Sequence, residues 1–256
     1  MLLALDVGNT NVTVGAFQDD GLAARWRLRT VHEQTADEWG ILLRNLFAHS
    51  AVKLEAVDGI VISSVVPPVD SVLADMAGRY FDRRPVFVTP ETDTGLKVMY
   101  DNPKEVGADR IVNAVAAYDR LGGPCVVVDL GTAITFDAIS NKAEYLGGLI
   151  YPGLGISIGA LFHRTARLPK VDLREPARLI GTNSVASIQS GLYYGTIGTI
   201  DGILQRLIGA LGPDTKVIGT GGQARLISGG SRLLRDVDED LTLKGLKLLW
   251  ERNRKP

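Results

Sequence analysis

Apolar and polar residues follow one another along this chain in a pattern that predicts strands and helices in turn. Short apolar runs predict buried strands, such as Met1 to Leu5 before Asp6, and Gly59 to Val66 before Pro67. Apolar residues that recur at helical spacing predict helices near 36–49, 71–80, 107–121, 157–165, 184–211 and 241–252. Strands that alternate with helices are typical of an α/β fold.

Two segments of the chain repeat one pattern. Leu2 to Phe17 reads LLALDVGNTNVTVGAF, and Cys125 to Ile139 reads CVVVDLGTAITFDAI. In each segment an apolar strand ends in Asp-x-Gly, small polar residues follow, and a second strand begins, so each predicts a β-hairpin with an acidic residue at the bend. The two acidic residues, Asp6 and Asp129, lie about half the chain apart, as expected after duplication of one domain.

Length, charge and cysteine content narrow the class of protein. The 256 residues leave room for two domains, which we place at 1–114 and 115–256 with a ligand in the interdomain cleft. Lys and Arg (28) balance Asp and Glu (29) without a long block of one sign, so we expect no nucleic acid and no membrane surface as partner. The single cysteine, Cys125, lies in an apolar run and predicts a buried thiol in a reducing, cytoplasmic setting. The apolar N-terminus is too short to cross a bilayer, and the three histidines lack the spacing of a zinc site.

The two hairpin bends carry the residue types that bind nucleotide phosphates. Phosphates need glycine for close backbone approach, small hydroxyl or amide side chains as donors, and a carboxylate that holds a cation. The bend from Asp6 to Thr13 supplies all of these, and the bend from Asp129 to Ala133 supplies them again. Either bend alone is typical of an ordinary turn. Two of them, each after a buried strand, predict a nucleotide site.

Other glycine patterns are less specific. Gly219 to Gly222 follows a predicted strand and opens a helix from Gln223, so an adenine or ribose could lie against it. The segment Gly153 to Gly159 imitates a dinucleotide fingerprint, but its spacing is one residue too long and no acidic residue follows at the right distance. We interpret this segment as a helix entry packed against another backbone. The chain has no P-loop motif.

An acid and a base open the helix predicted at 107–121, which we interpret as a hinge between the halves. Asp109 and Arg110 have a plain interpretation, in which Asp109 complements the helix dipole and Arg110 is a surface side chain. At a cleft, however, the aspartate would accept the proton of an attacking hydroxyl, and the arginine would offer a planar fork to a substrate carboxylate.

The motifs DVGNTNVTVG, DNPKEVGADR, VVDLGTAITFD, YLGGLIYPGLGIS, TNSVASIQSG and VIGTGGQA, taken together, resemble those of the type III pantothenate kinases of the actin, sugar-kinase and Hsp70-like superfamily. The resemblance runs from about residue 2 to residue 248 with the motifs in family order. It implies two duplicated ribonuclease-H-like (actin-like ATPase) domains and ATP-dependent phosphorylation of pantothenate to 4′-phosphopantothenate, the first step of coenzyme A synthesis. A homodimer, magnesium, and a monovalent cation, potassium or ammonium, are implied as well.

The resemblance also assigns roles to matching residues. The ATP phosphate loop would comprise Asp6, Val7, Gly8, Asn9, Thr10, Asn11, Val12 and Thr13, with Thr132 contacting ATP from the second bend. Asp6 would lie near magnesium, and Asp129 would hold the monovalent cation. The pantothenate pocket would comprise Tyr100, Gly107, Ala108, Asp109, Arg110 and Ser184, with Asp109 as the catalytic proton acceptor. Ser184 stands where the family usually has a threonine.

Three alternatives remain open at the level of sequence. One is another kinase of the superfamily that phosphorylates a sugar or a carboxylic acid. The second is an accessory or regulatory protein that binds nucleotide without catalysis, since an actin-like fold does not by itself imply a reaction. The third is a nicotinamide-dependent oxidoreductase, which rests on the imperfect pattern at Gly153 to Gly159.

Overall fold

The fold is given by a computed structural model that describes residues 1–164, 169 and 171–254. Two compact units make up the chain. The first contains Met1–Leu96, Asp101–Ala116 and the C-terminal helix, and the second contains Lys97–Tyr100 and Ala117–Asp240. The predicted domains, 1–114 and 115–256, remain a prediction. The units differ from them in assigning 97–100 to the second unit and the C-terminal helix to the first.

The first unit is built on a five-stranded mixed sheet. Its strands in spatial order are β3 (Gly21–Arg29), β2 (Asn11–Gln18), β1 (Leu2–Val7), β4 (Gly59–Ser64) and β5 (Val86–Phe87). The predicted hairpin is confirmed, because β1 and β2 pair antiparallel from Leu2 opposite Phe17 to Val7 opposite Val12. Strand β4 pairs with β1 in parallel. Strand β3 follows a turn at 19–20 and was not among the predicted elements.

Helices cover the apolar face of this sheet. Helix α1 (Ala36–Ala48) begins at a capping box, in which Thr35 and Glu38 each satisfy the backbone N–H of the other. Helix α2 (Pro67–Phe81) begins four residues earlier than predicted, because Pro67 and Pro68 occupy first-turn positions that tolerate a missing N–H. Side chains from the sheet and both helices form one buried cluster that includes Leu3, Leu5, Ile62, Trp39 and Leu73.

Two helices from distant parts of the chain complete the first unit. Helix α3 (Ala108–Leu121) confirms the predicted helix, and the division between the units falls within it, after Ala116. The C-terminal helix, α7 (Leu241–Asn253), confirms the predicted amphipathic helix that docks on the fold. It packs closely against the sheet at Gly15, where a side chain would bring its Cβ atom within 2.8 Å of Leu243 Cδ1.

The second unit is built on a six-stranded mixed sheet. Its strands in spatial order are β11 (Asp236–Val237), β10 (Lys216–Thr220), β7 (Cys125–Leu130), β8 (Ala133–Ile139), β9 (Glu144–Pro152) and β6 (Lys97–Val98). The second predicted hairpin is confirmed by antiparallel pairing of β7 with β8. Cys125 is buried as predicted, and burial raises the pKa of its thiol to about 12.

The helices of the second unit are α4 (Leu154–Arg164), α5 (Ser184–Leu211) and α6 (Ala224–Ser228). The end of the predicted helix at Thr165 lies outside the described residues. Asn183 caps α5 by accepting a hydrogen bond from Ala186 N, and apolar residues of α5 such as Ile200 and Leu204 pack on the sheet. Within the described part of the chain, no helix combines the length and apolar character needed to cross a membrane.

Candidate functional site

The first bend comprises residues 8–11, between the paired valines Val7 and Val12. Gly8 N donates to Asn11 O at 3.0 Å and closes the bend. Thr30, directly after β3, binds the bend twice: its Oγ1 donates to Gly8 O at 2.6 Å and its N donates to Thr10 O at 3.0 Å. Asn9 and Thr10 are exposed, so the tip of the bend is open to a ligand.

The residues that flank this bend divide between the two faces of the sheet. Val7 and Val12 belong to the buried apolar cluster, so their backbone groups rather than their side chains are left for a nucleotide. Asp6 is in register with Thr13 on β2 and with Ser63 on β4. Residues paired in register lie on one face, so these three polar side chains form a row across the end of the sheet.

The second bend is one residue shorter and is enclosed by glycines. Gly131 N donates to Ala133 O at 3.0 Å, and Thr132 at the tip is exposed. Gly221, at φ +89°, lies so close to Asp129 that a side chain on Gly221 would bring its Cβ atom within 2.5 Å of Asp129 Oδ1. A Cβ on Gly153 would overlap the carbonyl oxygen of Thr132. The interpretation of the segment Gly153 to Gly159 as a helix entry packed against another backbone is confirmed at Gly153, directly before α4. Cβ atoms on Gly155 and Gly159 would meet no described atom outside their own helix within 4 Å.

Asp109 and Arg110 lie in the first turn of α3. Asp109 Oδ1 accepts a hydrogen bond from Arg110 N at 2.8 Å. Burial raises the pKa of the Asp109 carboxyl, and the hydrogen bond and charge of Arg110 oppose that rise only in part. Gly107 leaves room for this carboxylate, because a Cβ there would lie 2.6 Å from Asp109 Oδ1. The alternative of Arg110 as a surface side chain is wrong, since Arg110 is 7% exposed.

Tyr100 and Ser184 lie in separate segments of the second unit: Tyr100 follows β6, and Ser184 begins α5. Met99 N donates to Tyr145 O at 2.8 Å, which fastens the short strand β6 beside β9. The centroid of the Tyr100 ring then lies 6.5 Å from that of Tyr145. The same ring lies over Gly147, where a side chain would bring its Cβ atom within 3.3 Å of Tyr100. Ser184 is the first residue of α5, and its side chain is exposed.

The predicted residues thus form local groups in each unit. In the first unit the structure brings together the bend residues with Asp6 and Thr13, and separately Gly107, Ala108, Asp109 and Arg110 at the start of α3. In the second unit it brings together Asp129 and Thr132 in the second hairpin, while Tyr100 lies in the segment after β6 and Ser184 at the start of α5. Sequence reasoning missed Thr30 and Ser63, because neither lies in a motif that marks contact with the bend.

The similarity to known proteins extends over most of the chain. The family model for type III pantothenate kinases matches residues 2–206. A protein from Solibacter usitatus named type III pantothenate kinase is 65% identical over 253 residues, which cover 99% of this chain and 97% of that protein. The chain belongs to the type III pantothenate kinase family. The resemblance carried by the sequence motifs is confirmed.

Solved structures show the same fold in more distant proteins. A Campylobacter jejuni protein named for the Baf family of transcriptional activators is 22% identical with a TM-score of 0.60, over 98% of each chain. MreB 5 of Spiroplasma citri, bound to AMPPNP, is 10% identical with a TM-score of 0.56, over 98% of this chain and 96% of that one. At these identities the likeness concerns the fold alone. The predicted class, an α/β fold of two ribonuclease-H-like domains, is confirmed.

Membership of the type III pantothenate kinase family also decides between reaction classes. A kinase is a phosphotransferase, so the alternative of a nicotinamide-dependent oxidoreductase is wrong. Gly153, the first glycine of the pattern on which that alternative rested, packs on the second bend instead.

Proposed function

We propose that this protein transfers the γ-phosphoryl group of ATP to the terminal hydroxyl of pantothenate, which yields 4′-phosphopantothenate and ADP in the first step of coenzyme A synthesis. The observation that carries the proposal is the family match over 2–206, joined by near full-length identity of 65% to a protein of that name. The two open bends support it, because each presents backbone and hydroxyl donors beside a carboxylate.

The proposed ATP site uses the tips of both bends. In the first unit, the donors of Asn9, Thr10 and Asn11 and the hydroxyl of Thr13 would donate hydrogen bonds to phosphate oxygens, while the N–H of Gly8 closes the bend. In the second unit, the exposed Thr132 would do the same. Gly153 and Gly221 lie so close to the second bend that a Cβ on either would overlap Thr132 or Asp129.

Magnesium fits the row formed by Asp6, Thr13 and Ser63. Magnesium is commonly held by one or two carboxylates together with substrate phosphates and waters, and Asp6 offers such a carboxylate. The hydroxyl of Ser63 is buried and has no hydrogen-bond partner within the described part of the chain, so it could bind a water of the hydrated ion. When bound, the ion would neutralise charge on the phosphates.

A monovalent cation fits the second bend. Asp129 supplies a carboxylate beside the carbonyl of Leu130, and both atoms lie within 2.7 Å of the Cβ position that Gly221 leaves empty. Carboxylate and carbonyl oxygens are the ligands that hard cations prefer. Potassium or ammonium bound there would place a positive charge near the phosphates.

Asp109 would act on the acceptor hydroxyl. Its carboxylate would accept the hydroxyl proton as the new oxygen–phosphorus bond forms and the bond to the ADP leaving oxygen breaks. The raised pKa of Asp109 makes its carboxylate a stronger base than an ordinary aspartate. Arg110 would bind the carboxylate of pantothenate through its guanidinium fork. Tyr100, Gly107, Ala108 and Ser184 would complete the pantothenate pocket.

A homodimer is part of the same proposal. The second unit exposes many large apolar side chains, which are Met99, Leu146, Leu149, Ile150, Tyr151, Ile156, Leu161, Phe162, Leu179, Ile180, Val185 and Tyr194. Exposed apolar surface of this extent is typical of a surface that binds another protein. A second copy of the chain is the proposed partner.

We expect no nucleic acid or membrane partner. We propose a cytoplasmic location, because the reaction needs ATP and because the buried cysteine forms no disulfide.

The decisive experiment measures ADP release by the purified protein with ATP and magnesium. The assay is run with and without pantothenate and with and without potassium, beside a panel of sugars and acetate. Turnover that requires pantothenate supports the proposal, and stimulation by potassium supports the role of Asp129. ADP release with a sugar or acetate alone would move the function to another kinase of the superfamily. Nucleotide binding with no turnover on any substrate would favour an accessory protein.

A further inference from the structure

Thr30 is attached to the first bend by both its side chain and its backbone. The residue follows the last residue of β3 and is 9% exposed. Its hydroxyl donates to Gly8 O at 2.6 Å, and its N–H donates to Thr10 O at 3.0 Å. These bonds span 22 and 20 residues of sequence, respectively, and they join the bend to the residue that follows β3.

These two bonds fix the direction of backbone donors in the bend. In a planar trans peptide, the C=O and the N–H of one unit point in opposite directions. Gly8 O directed at Thr30 therefore turns the N–H of Asn9 away from Thr30. In the same way, Thr10 O directed at Thr30 turns away the N–H of Asn11. Asn9 and Thr10 are exposed, so a ligand can reach the bend whose donors are oriented in this way.

The two bonds of Thr30 add to the closing bond of the bend. That bond runs from Gly8 N to Asn11 O and does not use the carbonyls of Gly8 and Thr10, which both accept from Thr30. A glycine-containing bend without such bonds samples several backbone conformations, and each costs conformational entropy to suppress when a ligand binds. Bonds that suppress them in advance improve ligand affinity.

We propose that Thr30 is a positioning residue that holds the first bend in its phosphate-binding conformation. The inference rests on the proposed function, in which this bend receives the phosphates of ATP. Thr30 itself touches no reacting atom. Its effect reaches the nucleotide through Gly8 and Thr10, so it concerns ATP and not pantothenate.

The test compares Thr30→Val, which keeps the shape and loses the hydroxyl, with Thr30→Ser, which keeps the hydroxyl. A hydrogen bond contributes about 1 kcal/mol, so we expect Thr30→Val to raise the KM and the Kd for ATP–magnesium roughly fivefold or more. The KM for pantothenate should stay within about twofold, and Thr30→Ser should restore the ATP values. Thr215→Val is the matched control, because Thr215 Oγ1 makes the same kind of bond, to Gly212 O at 2.6 Å, in the second unit.

Two measurements separate this inference from the proposed function. Steady-state kinetics report both KM values, and calorimetric titration with ATP–magnesium reports nucleotide binding without any need for turnover. Thermal melting of each variant shows that it is folded at the assay temperature. The role of Thr30 would be overturned by any of three results: Thr30→Val binds ATP with the wild-type Kd, Thr30→Val raises both KM values equally, or Thr30→Ser fails to restore ATP binding.

A wild-type protein that binds ATP but never phosphorylates pantothenate would overturn the proposed function instead. The calorimetric titration would still test the role of Thr30 in that case. A wild-type protein that binds no ATP would overturn both.

Discussion

At the scale of single residues, Asp109 combines a partly buried position with a short backbone hydrogen bond. Oδ1 accepts from Arg110 N at 2.8 Å, which fixes the orientation of the carboxylate, and Gly107 leaves the space in which it lies. Burial raises its pKa above the ordinary value. Perturbed acids in such settings are often functional, and here the perturbation favours proton acceptance.

Asp109→Asn should abolish most turnover while leaving both substrates bound. An amide of the same shape keeps the hydrogen bond from Arg110 N but cannot accept the hydroxyl proton. General-base catalysis contributes about 100-fold to 10,000-fold, so we expect kcat to fall within that range and the KM values to change less than about threefold. Steady-state kinetics measures this. Asp101→Asn, at an exposed position before α3, is the control. A near-normal kcat in Asp109→Asn would refute the role of Asp109 as proton acceptor.

The pH dependence of turnover follows from the same carboxyl. Asp109 must be ionised to accept a proton, so kcat/KM for pantothenate should fall as pH decreases through its pKa. Because burial raises that pKa, the fall should begin at a higher pH than an ordinary aspartate would give. The residual activity of Asp109→Asn should lack this acidic limb. An unchanged limb in the variant would assign it to another group.

Gly221 illustrates how a residue without a side chain shapes the second bend. Its φ of +89° is strained for other residues, and a Cβ would meet Asp129 Oδ1 at 2.5 Å. Gly221→Ala should displace the Asp129 carboxylate and raise the potassium concentration for half-maximal activity roughly tenfold, a loss of about 1.4 kcal/mol of cation binding. Potassium titration of activity measures this. Gly209→Ala is the control, because a Cβ there meets no described atom within 4 Å. Equal potassium responses in both variants would contradict the assignment of Asp129.

At the scale of elements, Asp201 ties the long helix α5 to the segment 231–233. Its carboxylate accepts hydrogen bonds from Ser231 Oγ, from Arg232 N at 3.1 Å and from Leu233 N at 3.2 Å. Burial raises the pKa of Asp201, but these hydrogen bonds together outweigh burial and leave the pKa below its ordinary value. The carboxylate therefore stabilises the second unit in its ionised form.

Asp201→Asn should lower the free energy of unfolding by about 2 kcal/mol near neutral pH, since a charged acceptor of several buried donors is lost. The folded-state pKa lies below the unfolded value, so the stabilisation is complete above the unfolded value and is lost as pH falls through the folded one. The difference between wild type and variant should shrink in that acidic range. Urea unfolding at several pH values measures it. Asp214→Asn, at an exposed turn, should change stability little, and equal effects of the two variants would argue against this role.

At the scale of the whole molecule, the distribution of apolar surface points to a partner. Strand β9 exposes Ile150 (67%), and the segment before α5 exposes Ile180 (77%). The first unit has fewer such side chains, with Ile41 on α1 the most exposed at 55%. Single exposed apolar residues are ordinary on protein surfaces, whereas the concentration of them in the second unit is not.

Ile150→Asp should convert the proposed dimer to a monomer, because a charge buried in an apolar interface without a partner is costly. Ile41→Asp has the same chemistry on the first unit and should leave the dimer intact. Light scattering coupled to gel filtration measures the mass of both variants. A monomeric wild type, or a dimer that survives Ile150→Asp and dissociates with Ile41→Asp, would contradict the assignment of the interface to the second unit.

The sequence by itself determined the local elements and the class of chemistry. Alternating apolar positions and Asp-x-Gly bends predicted both hairpins, and the helical spacing of leucines predicted α7. These features depend on residues close together in the chain, where period and turn chemistry act directly. The family motifs pointed to the kinase family for the same reason, since each is a continuous string.

Only the tertiary structure decided which distant residues support those motifs. Thr30 holds the first bend, Gly153 and Gly221 enclose the second, Arg110 is buried rather than exposed, and α7 belongs to the first unit. Each of these contacts depends on packing between segments far apart in sequence. Local propensity does not encode such contacts, because they form only when the sheets and helices have assembled around their cores.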